Sequence, residues 1–244
     1  MPIPSLKKAI QAESVSWLSA RMRRFNSKKQ VVVDGKTLAI DSATMTKGLR
    51  RALWRSDYED VERAIIKRLI KPGDKVLEGG GGLGLVSMTI AEIVGNENLI
   101  VYEASPRSYA LFNANRQANG FTFEVRNKAL SDTNGSISFF NHENVLSSSS
   151  RQRTQTTEIS IECDDILDVV KQFRPNTLVL DVEGAEVEIV ERMQFDGIEK
   201  IIAELHPHIV GDKALAPLYA KLFASGFVLN HANSWDNVVS FTRQ

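Results

Sequence analysis

Glycines and carboxylates come together in one stretch of this sequence in a way that suits nucleoside binding. The apolar run Val76-Leu77-Glu78 is followed directly by four glycines, Gly79 to Gly82. A second apolar run ends at Glu103, about 20 residues beyond the glycines, as in nucleotide-binding β-α-β units. The glycines let the backbone approach a ligand closely, and a carboxylate after the second strand accepts hydrogen bonds from a ribose diol. The sequence therefore predicts a nucleoside site.

Glu78 helps to decide which nucleoside this is. Gly79, Gly81 and Gly84 fit the spacing G-x-G-x-x-G, which does not separate NAD from S-adenosylmethionine. A dinucleotide pyrophosphate brought within about 5 Å of the Glu78 carboxylate would be repelled by a few kcal/mol. The ammonium and sulfonium groups of S-adenosylmethionine tolerate a nearby carboxylate. We favour S-adenosylmethionine, and a dinucleotide-binding Rossmann protein is the alternative.

Alternating strands and helices predict a mostly parallel sheet with helices on both faces. The last two strands are joined by about six residues and must be antiparallel, because a parallel crossover needs about a dozen. We predict an α/β fold of the class I methyltransferase (Rossmann-like) type, with a seven-stranded mostly parallel sheet and a C-terminal antiparallel hairpin. The predicted strands are 75–78, 99–103, 121–126, 177–181, 199–204, 227–230 and 237–242, and the helices between them are 83–94, 106–119, 164–172, 186–193 and 213–225.

Further carboxylates follow the later strands, at the edge of the sheet where ligands bind. Asp181 ends the fourth predicted strand, and His206 lies just after the fifth. Methyl transfer to a hydroxyl removes a proton, so a base at this edge is useful. We expect Asp181, His206 and Glu183 to be catalytic, with Glu186 and Glu204 around them. A divalent cation at Asp181, Glu204 or His206 is an alternative that we do not favour.

Residues 1–55 form a basic extension, which we separate from a catalytic domain over residues 56–244. The extension has 12 Lys and Arg against 3 Asp and Glu, although the whole chain carries no net charge. We expect a helix over residues 5–25, a hairpin over 31–40 and a second helix that opens at Ser56, where Ser56 and Glu59 form a capping box. The basic residues either dock on an acidic surface or meet an anionic substrate such as a nucleic acid or a phosphorylated sugar.

Two further extended segments, 136–140 and 158–163, flank a serine-rich loop over residues 141–156. The loop is either a tolerated insertion or a lid in which Arg151 and Arg153 meet an anionic group. No apolar run is long enough to span a bilayer, and the first residues lack the apolar core of a signal peptide. Cys163 is the single cysteine, which excludes an internal disulfide and a cysteine-cluster metal site. We expect a cytoplasmic protein.

The chain resembles the FkbM family of S-adenosylmethionine-dependent methyltransferases over roughly residues 56–210. The most specific matching segment is Asp181-Val182-Glu183-Gly184-Ala185-Glu186. The chain departs from the family where Glu78-Gly79-Gly80-Gly81-Gly82 replaces Asp-x-Gly-x-Asn, which affects how the donor's amino acid end is held. The other matching segments are Tyr58-Glu59, Lys71-Pro72-Gly73-Asp74, Glu103-Ala104-Ser105-Pro106, Asn113-Ala114-Asn115, Ala129-Leu130-Ser131-Asp132 and Glu204-Leu205-His206.

The resemblance implies O-methylation of a sugar or natural-product hydroxyl, with S-adenosylhomocysteine as the second product. Glu78 would hold the donor's ammonium directly or through water, above a cradle of Gly79, Gly80 and Gly82. Glu103 would bind the ribose hydroxyls. Ala104, Asn127 and Ala129 would surround the adenine. We expect a small-molecule acceptor with a hydroxyl group. An anionic group on this acceptor would complement the charge of the basic extension. We also expect a second copy of the chain, in a homodimer. A methyltransferase that acts on a nucleic acid through the basic extension is the second alternative.

Overall fold

The computed structural model describes residues 5–13, 29–41, 43–142 and 156–243. Its N-terminal part contains α1 (Leu6–Glu13), β1 (Gln30–Val33), β2 (Lys36–Ala39) and α2 (Lys47–Arg55). β1 and β2 pair as the predicted antiparallel hairpin. Asp34 and Gly35 at its turn have φ of 50° and 76°, as a two-residue turn of type I′ requires. Residues 14–25 of the predicted first helix lie outside the described residues.

The predicted capping box at Ser56 is wrong. Ser56 ends α2, with φ of 61°, and its backbone N–H bonds back to Ala52 and Leu53 carbonyls. The next helix, α3, is Asp60–Leu69. Glu59 precedes it in a left-handed conformation and makes no side-chain cap. The spacing of Ser56 and Glu59 fitted the motif, but α2 was not predicted and its last turn takes up Ser56.

A seven-stranded sheet forms the centre of the molecule. Its strands are β3 (Val76–Gly79), β4 (Leu99–Tyr102), β5 (Glu124–Arg126), β9 (Thr177–Leu180), β10 (Lys200–Glu204), β11 (Phe227–Leu229) and β12 (Val238–Arg243). Their order across the sheet is β11-β12-β10-β9-β3-β4-β5. The first five strands along the chain are parallel, whereas β12 runs antiparallel to both β10 and β11. This order, with the antiparallel last strand inserted beside β10, is the Rossmann-like class I methyltransferase fold.

Helices cover both faces of this sheet, and therefore β3, β4 and β9 are buried along their whole length. One core contains the hairpin residues Val31 and Val33 together with α3 and α4. The other core lies among α6, α7 and α9. The separation of residues 1–55 as a domain stays a prediction. The helices are α4 (Leu85–Val94), α5 (Pro106–Ala118), α6 (Ile166–Phe173), α7 (Glu186–Arg192), α8 (Pro207–Val210) and α9 (Asp212–Ala224).

A separate three-stranded sheet is built from β6 (Ala129–Ser131), β7 (Gly135–His142) and β8 (Thr156–Asp165). β8 lies between the other two, parallel to β6 and antiparallel to β7. The two extended segments predicted within residues 136–163 are thereby confirmed. Residues 143–155 of the predicted loop, with Arg151 and Arg153, lie outside the described residues. Within the described ranges, no helix combines the length and the apolar character needed to cross a membrane.

Candidate active site

A cavity of about 600 Å³ opens at the carboxyl ends of the central strands. Its volume lies within the range of small-molecule sites, about 300–1,000 Å³. The sheet supplies the floor, β6 and β7 supply one wall, and the segments around Tyr58 and α8 supply others. Eight predicted site residues line it: Gly80, Gly82, Glu103, Ala104, Ala129, Asp181, Glu183 and His206. Glu78, Gly79 and Asn127 do not.

The glycine loop after β3 brings its backbone to the cavity. Gly80 has φ of +90°, and a Cβ added there would lie 1.7 Å from the Asp181 carbonyl oxygen. No residue with a side chain fits this contact, so a glycine is required where the β3 loop passes the end of β9. A Cβ on Gly84 would lie 2.3 Å from the Phe112 ring. The loop glycines therefore divide into two that line the cavity, Gly80 and Gly82, and others that allow close packing behind it.

Glu103 follows β4 and is held in place by two backbone groups. Its Oε2 accepts a hydrogen bond from Gly82 N (2.8 Å), and its Oε1 accepts one from Ser105 N (2.8 Å). A carboxylate has about four acceptor positions, so two positions are left for the hydroxyls of a ribose. Burial raises the pKa of Glu103 to about 7, against the lowering effect of these two hydrogen bonds. The role of Glu103 at a ribose diol stays a prediction.

Glu78 lies beneath the cavity, with a relative exposure of 1 %. It lines a small chamber of about 20 Å³ together with Glu59, Glu62, Asp181 and Glu204. Burial, together with repulsion from the neighbouring Glu59 and Glu103 carboxylates, raises the pKa of Glu78 to about 8. The chamber has room for one water molecule. Of the two contacts predicted for Glu78, the one through water fits this position.

The predicted adenine end is formed by small and apolar side chains. Ala104, Ala129 and Leu130 line the cavity here. Asn127 lies behind them, and its amide donates to the carbonyl oxygens of Glu103 (2.9 Å) and Ala104 (3.3 Å). Asn127 therefore positions the loop that carries Glu103. Gly79 is packed against Val182 and Leu130 inside the sheet.

The three predicted catalytic residues meet on the opposite side of the cavity. His206 Nε2 lies 3.4 Å from Asp181 Oδ1 and 3.9 Å from Glu183 Oε2. Burial, followed by repulsion from Glu204 and Glu183, raises the pKa of Asp181. Burial of His206 lowers its pKa, but the hydrogen bond to Glu186 and the surrounding carboxylates outweigh burial and raise the pKa above its usual value. The geometry thus gathers groups that exchange protons.

Glu186 was expected only near this group, but the structure gives it a defined contact. It is completely buried at the start of α7, and its Oε1 lies 2.9 Å from His206 Nδ1. The same oxygen accepts hydrogen bonds from Val182 N (3.1 Å) and Gly184 N (3.3 Å). With Nδ1–H donated to this carboxylate, Nε2 of His206 is directed to the cavity.

Sequence reasoning missed part of the lining. Tyr58 and Glu59 line the cavity next to Asp181, and Ile137 and Ser138 contribute from β7. Tyr58 and Glu59 were noted as a matching segment, and that was the available signal for them. The sequence gave no indication that β7 lines the cavity, because the position of β7 depends on its pairing with β8.

The cavity lining is strongly acidic. Among the described lining residues there is one lysine, Lys128, against seven carboxylates. The carboxylates are those of Glu59, Glu103, Asp132, Asp181, Glu183, Glu188 and Glu204.

Comparison with family models gave no match, and neither did comparison with curated proteins. Among solved structures, the chain is similar to the ribosomal protein L11 methylase of Lactobacillus delbrueckii subsp. bulgaricus (11% identity, 78% of this chain and 81% of that one, TM-score 0.47). It is also similar to Pyrococcus horikoshii TYW2 in complex with MeSAdo (12% identity, 87% and 68%, TM-score 0.47). A third is the precorrin-6y C5,15-methyltransferase of Geobacter metallireducens GS-15 (11% identity, 84% and 98%, TM-score 0.47). At these identities the likeness says nothing about what this chain acts on.

Proposed function

We propose that this chain is an S-adenosylmethionine-dependent methyltransferase that methylates a hydroxyl group of a small molecule. The observation that supports the proposal most is the composition of the cavity. A glycine loop and the buried Glu103 carboxylate stand at the strand ends of this fold, and the lining is strongly acidic. An acidic cavity attracts the net positive charge of S-adenosylmethionine and repels the pyrophosphate of a dinucleotide. The alternative of a dinucleotide cofactor is therefore disfavoured.

Each end of the donor has a matching group in the cavity. Glu103 would accept the ribose hydroxyls, and Ala104 and Ala129 would pack against the adenine. Gly80 and Gly82 would lie beneath the amino acid part, whose ammonium would reach Glu78 through a water in the small chamber. Gly79 and Asn127 support these contacts from behind the cavity wall.

Methyl transfer requires an acceptor oxygen aligned with the methyl group and a group that takes the proton. The oxygen attacks the methyl carbon, the carbon–sulfur bond breaks with its electron pair moving to sulfur, and the hydroxyl proton leaves. Asp181 and His206 are the groups proposed to take that proton, and Glu183 stands next to them. Glu186 keeps Nε2 of His206 turned to the acceptor.

The acidic lining also bears on the acceptor. An anionic acceptor would meet seven carboxylates and one lysine among the described residues of the cavity. We therefore propose a neutral acceptor, such as a sugar or another polyol, in place of the anionic one considered from the basic extension. The FkbM family and a cytoplasmic location stay predictions.

The direct test is to identify what the purified chain carries. Denaturation followed by mass spectrometry is expected to release S-adenosylmethionine or S-adenosylhomocysteine. Incubation with labelled donor and a panel of neutral polyols should then form S-adenosylhomocysteine and a methyl ether. Release of NAD, with no affinity for either sulfur nucleoside, would contradict the proposal.

A nucleic acid acceptor is the second candidate, and one observation favours it. Lys47, Arg51 and Arg55 are exposed on α2 at intervals of four residues and so share one face of that helix. Such a basic face binds phosphates with an affinity that falls as salt rises. Reversing all three charges should abolish RNA binding if this candidate is correct. RNA binding that is absent or unaffected by the change would eliminate it.

A further inference from the structure

His206 is presented in the manner of a metal ligand. Its side chain is almost fully buried, and Nδ1 is engaged by the buried Glu186 carboxylate at 2.9 Å. Histidines that bind metals usually donate their second nitrogen to a carboxylate in this way, which fixes the ring and makes the first nitrogen a better ligand. The ligand nitrogen would here be Nε2.

Nε2 of His206 has no hydrogen bond of ordinary length within the described part of the chain. Its nearest ionic neighbour is Asp181 Oδ1 at 3.4 Å, beyond the usual 2.7–3.2 Å of a nitrogen–oxygen hydrogen bond. Asp181 Oδ1 is itself buried and accepts no hydrogen bond from a described residue. The buried Asp181 Oδ1 and the Nε2 atom of His206 therefore face each other without a hydrogen bond between them, which is costly for Oδ1 unless a further group satisfies it.

Glu204 completes a set of three ligands. One ligand atom from each of Asp181, Glu204 and His206 can be chosen so that all three lie within 4.8 Å of one another. Metal–ligand bonds of about 2.0–2.6 Å place atoms of one coordination sphere at most about 4–5 Å apart, so the set fits around a single ion. The residues come from the ends of β9 and β10, which are neighbouring parallel strands.

We propose that Asp181, Glu204 and His206 bind one divalent cation at the floor of the cavity. Two carboxylates and one imidazole suit a first-row ion such as Mn²⁺ better than Ca²⁺, which prefers oxygen ligands alone. Three protein ligands leave positions of an octahedral ion open to oxygen atoms from a bound molecule.

The acceptor follows from this site, and that part of the inference rests on the proposed function. A polyol with two neighbouring hydroxyls can bind the ion through both oxygens, so the acceptor class is a vicinal diol. A bound ion also reduces the excess of negative charge around the acceptor. With the ion bound, Asp181 and His206 would serve as ligands, and Glu183 would take the hydroxyl proton in their place.

The test measures the binding of Mn²⁺ alone. Electron paramagnetic resonance detects the unbound ion, and its signal decreases as Mn²⁺ binds to the protein. The wild-type chain, freed of metal with a chelator, is expected to bind one Mn²⁺ per chain. Glu204→Gln and His206→Ala should each weaken this binding at least ten-fold. Glu188→Gln is the matched control, because Glu188 lines the same cavity outside the ligand set. Melting curves show which variants fold. If His206→Ala does not fold, Glu204→Gln still tests the site, because this substitution keeps the side-chain volume.

Absence of Mn²⁺ binding at millimolar concentration, or equal binding by wild type and Glu204→Gln, would overturn the ion site. Titration of the same samples with S-adenosylhomocysteine separates this result from a failure of the proposed function. Nucleoside binding without Mn²⁺ binding contradicts the ion site alone. Mn²⁺ binding without nucleoside binding contradicts the methyltransferase proposal alone.

Discussion

Glu103 and Glu186 are both buried carboxylates, but their contacts give them different tasks. Glu103 is held by two backbone N–H groups and keeps acceptor positions toward the cavity. Glu186 Oε1 contacts His206 and the loop before α7, and Glu186 does not line the cavity. The first is therefore placed to bind, and the second is placed to orient a neighbour.

Glu103→Ala is expected to weaken the binding of S-adenosylhomocysteine about 10- to 100-fold, because hydrogen bonds to a charged group contribute about 1.5–3 kcal/mol. Equilibrium dialysis with labelled nucleoside measures the change. Glu191→Gln, an exposed change outside the cavity, should leave the affinity within about two-fold. Equal affinities of wild type and Glu103→Ala would remove the ribose contact.

Glu186→Gln is expected to lower the pKa of His206, because the buried carboxylate and its hydrogen bond favour the protonated ring. The chain has four histidines, so the ring signal is readily followed by NMR through a pH titration. Glu191→Gln, an exposed change on the same helix, serves as the control and should leave the titration unchanged. An unshifted His206 in Glu186→Gln would show that the contact does not tune the ring.

At the scale of the elements, the glycine loop after β3 and the end of β9 fix the cavity floor. Their contact is so close at Gly80 that a methyl group would overlap the Asp181 carbonyl. The loop conformation and the position of Asp181 therefore depend on each other. A change in the loop is expected to affect both the proposed nucleoside site and the proposed ion site.

Gly80→Ala is expected to destabilise the fold by at least about 1–3 kcal/mol, from the strained φ and the overlap together, and to abolish nucleoside binding. Gly73→Ala is a matched control, since Gly73 has φ of +93° but nothing within 4 Å of the added Cβ. It should show the φ penalty alone and bind the nucleoside normally. Chemical denaturation and dialysis measure both effects. Equal stability of the two variants would show that the contact at Gly80 is not as close as described.

The mostly parallel sheet and its antiparallel end could be predicted, because the alternating apolar runs and the short last connection indicate them locally, whereas the order of the strands across the sheet was not predicted. The positions of Glu103, Asp181 and His206 followed from the same pattern, since parallel strands present their carboxyl ends at one edge. The helix before Ser56 was missed, because four of the nine residues of Lys47–Arg55 are basic and Leu53 is its one buried residue. The bond between Glu186 and His206 joins residues 20 positions apart, and no local signal announces such a contact.

At the scale of the whole molecule, buried acids collect around the cavity although the chain carries no net charge. Burial raises the pKa of Glu59 and Glu103 to about 7 and that of Glu78 to about 8. These carboxyls hold protons in the folded state at pH values where the unfolded chain has lost them. Folding therefore becomes less favourable as pH rises through this window.

We expect the melting temperature of the nucleoside-free protein to fall by several degrees between pH 5 and pH 8, since 1 kcal/mol corresponds to about 2–4 °C at this size. The raised pKa of His206 acts in the same direction, because the stability gained by its protonated form is lost as pH rises. S-adenosylmethionine should stabilise the protein more at pH 8 than at pH 6, because more of these carboxyl groups are ionised at pH 8 and attract its positive charge. Differential scanning fluorimetry measures both trends. A melting temperature that rises steadily over this range would contradict the burial of these acids.

The most direct test of the central claim, a cavity that selects a sulfonium nucleoside by its acidic lining, is calorimetric titration at pH 7.5. S-adenosylmethionine and S-adenosylhomocysteine should each bind once per chain, and NAD⁺ should give no saturable heat. Both affinities should fall about 10- to 100-fold in Glu103→Ala and stay unchanged in Glu191→Gln, an exposed change outside the cavity. No binding of either sulfur nucleoside, or tighter binding of NAD⁺, would contradict the account.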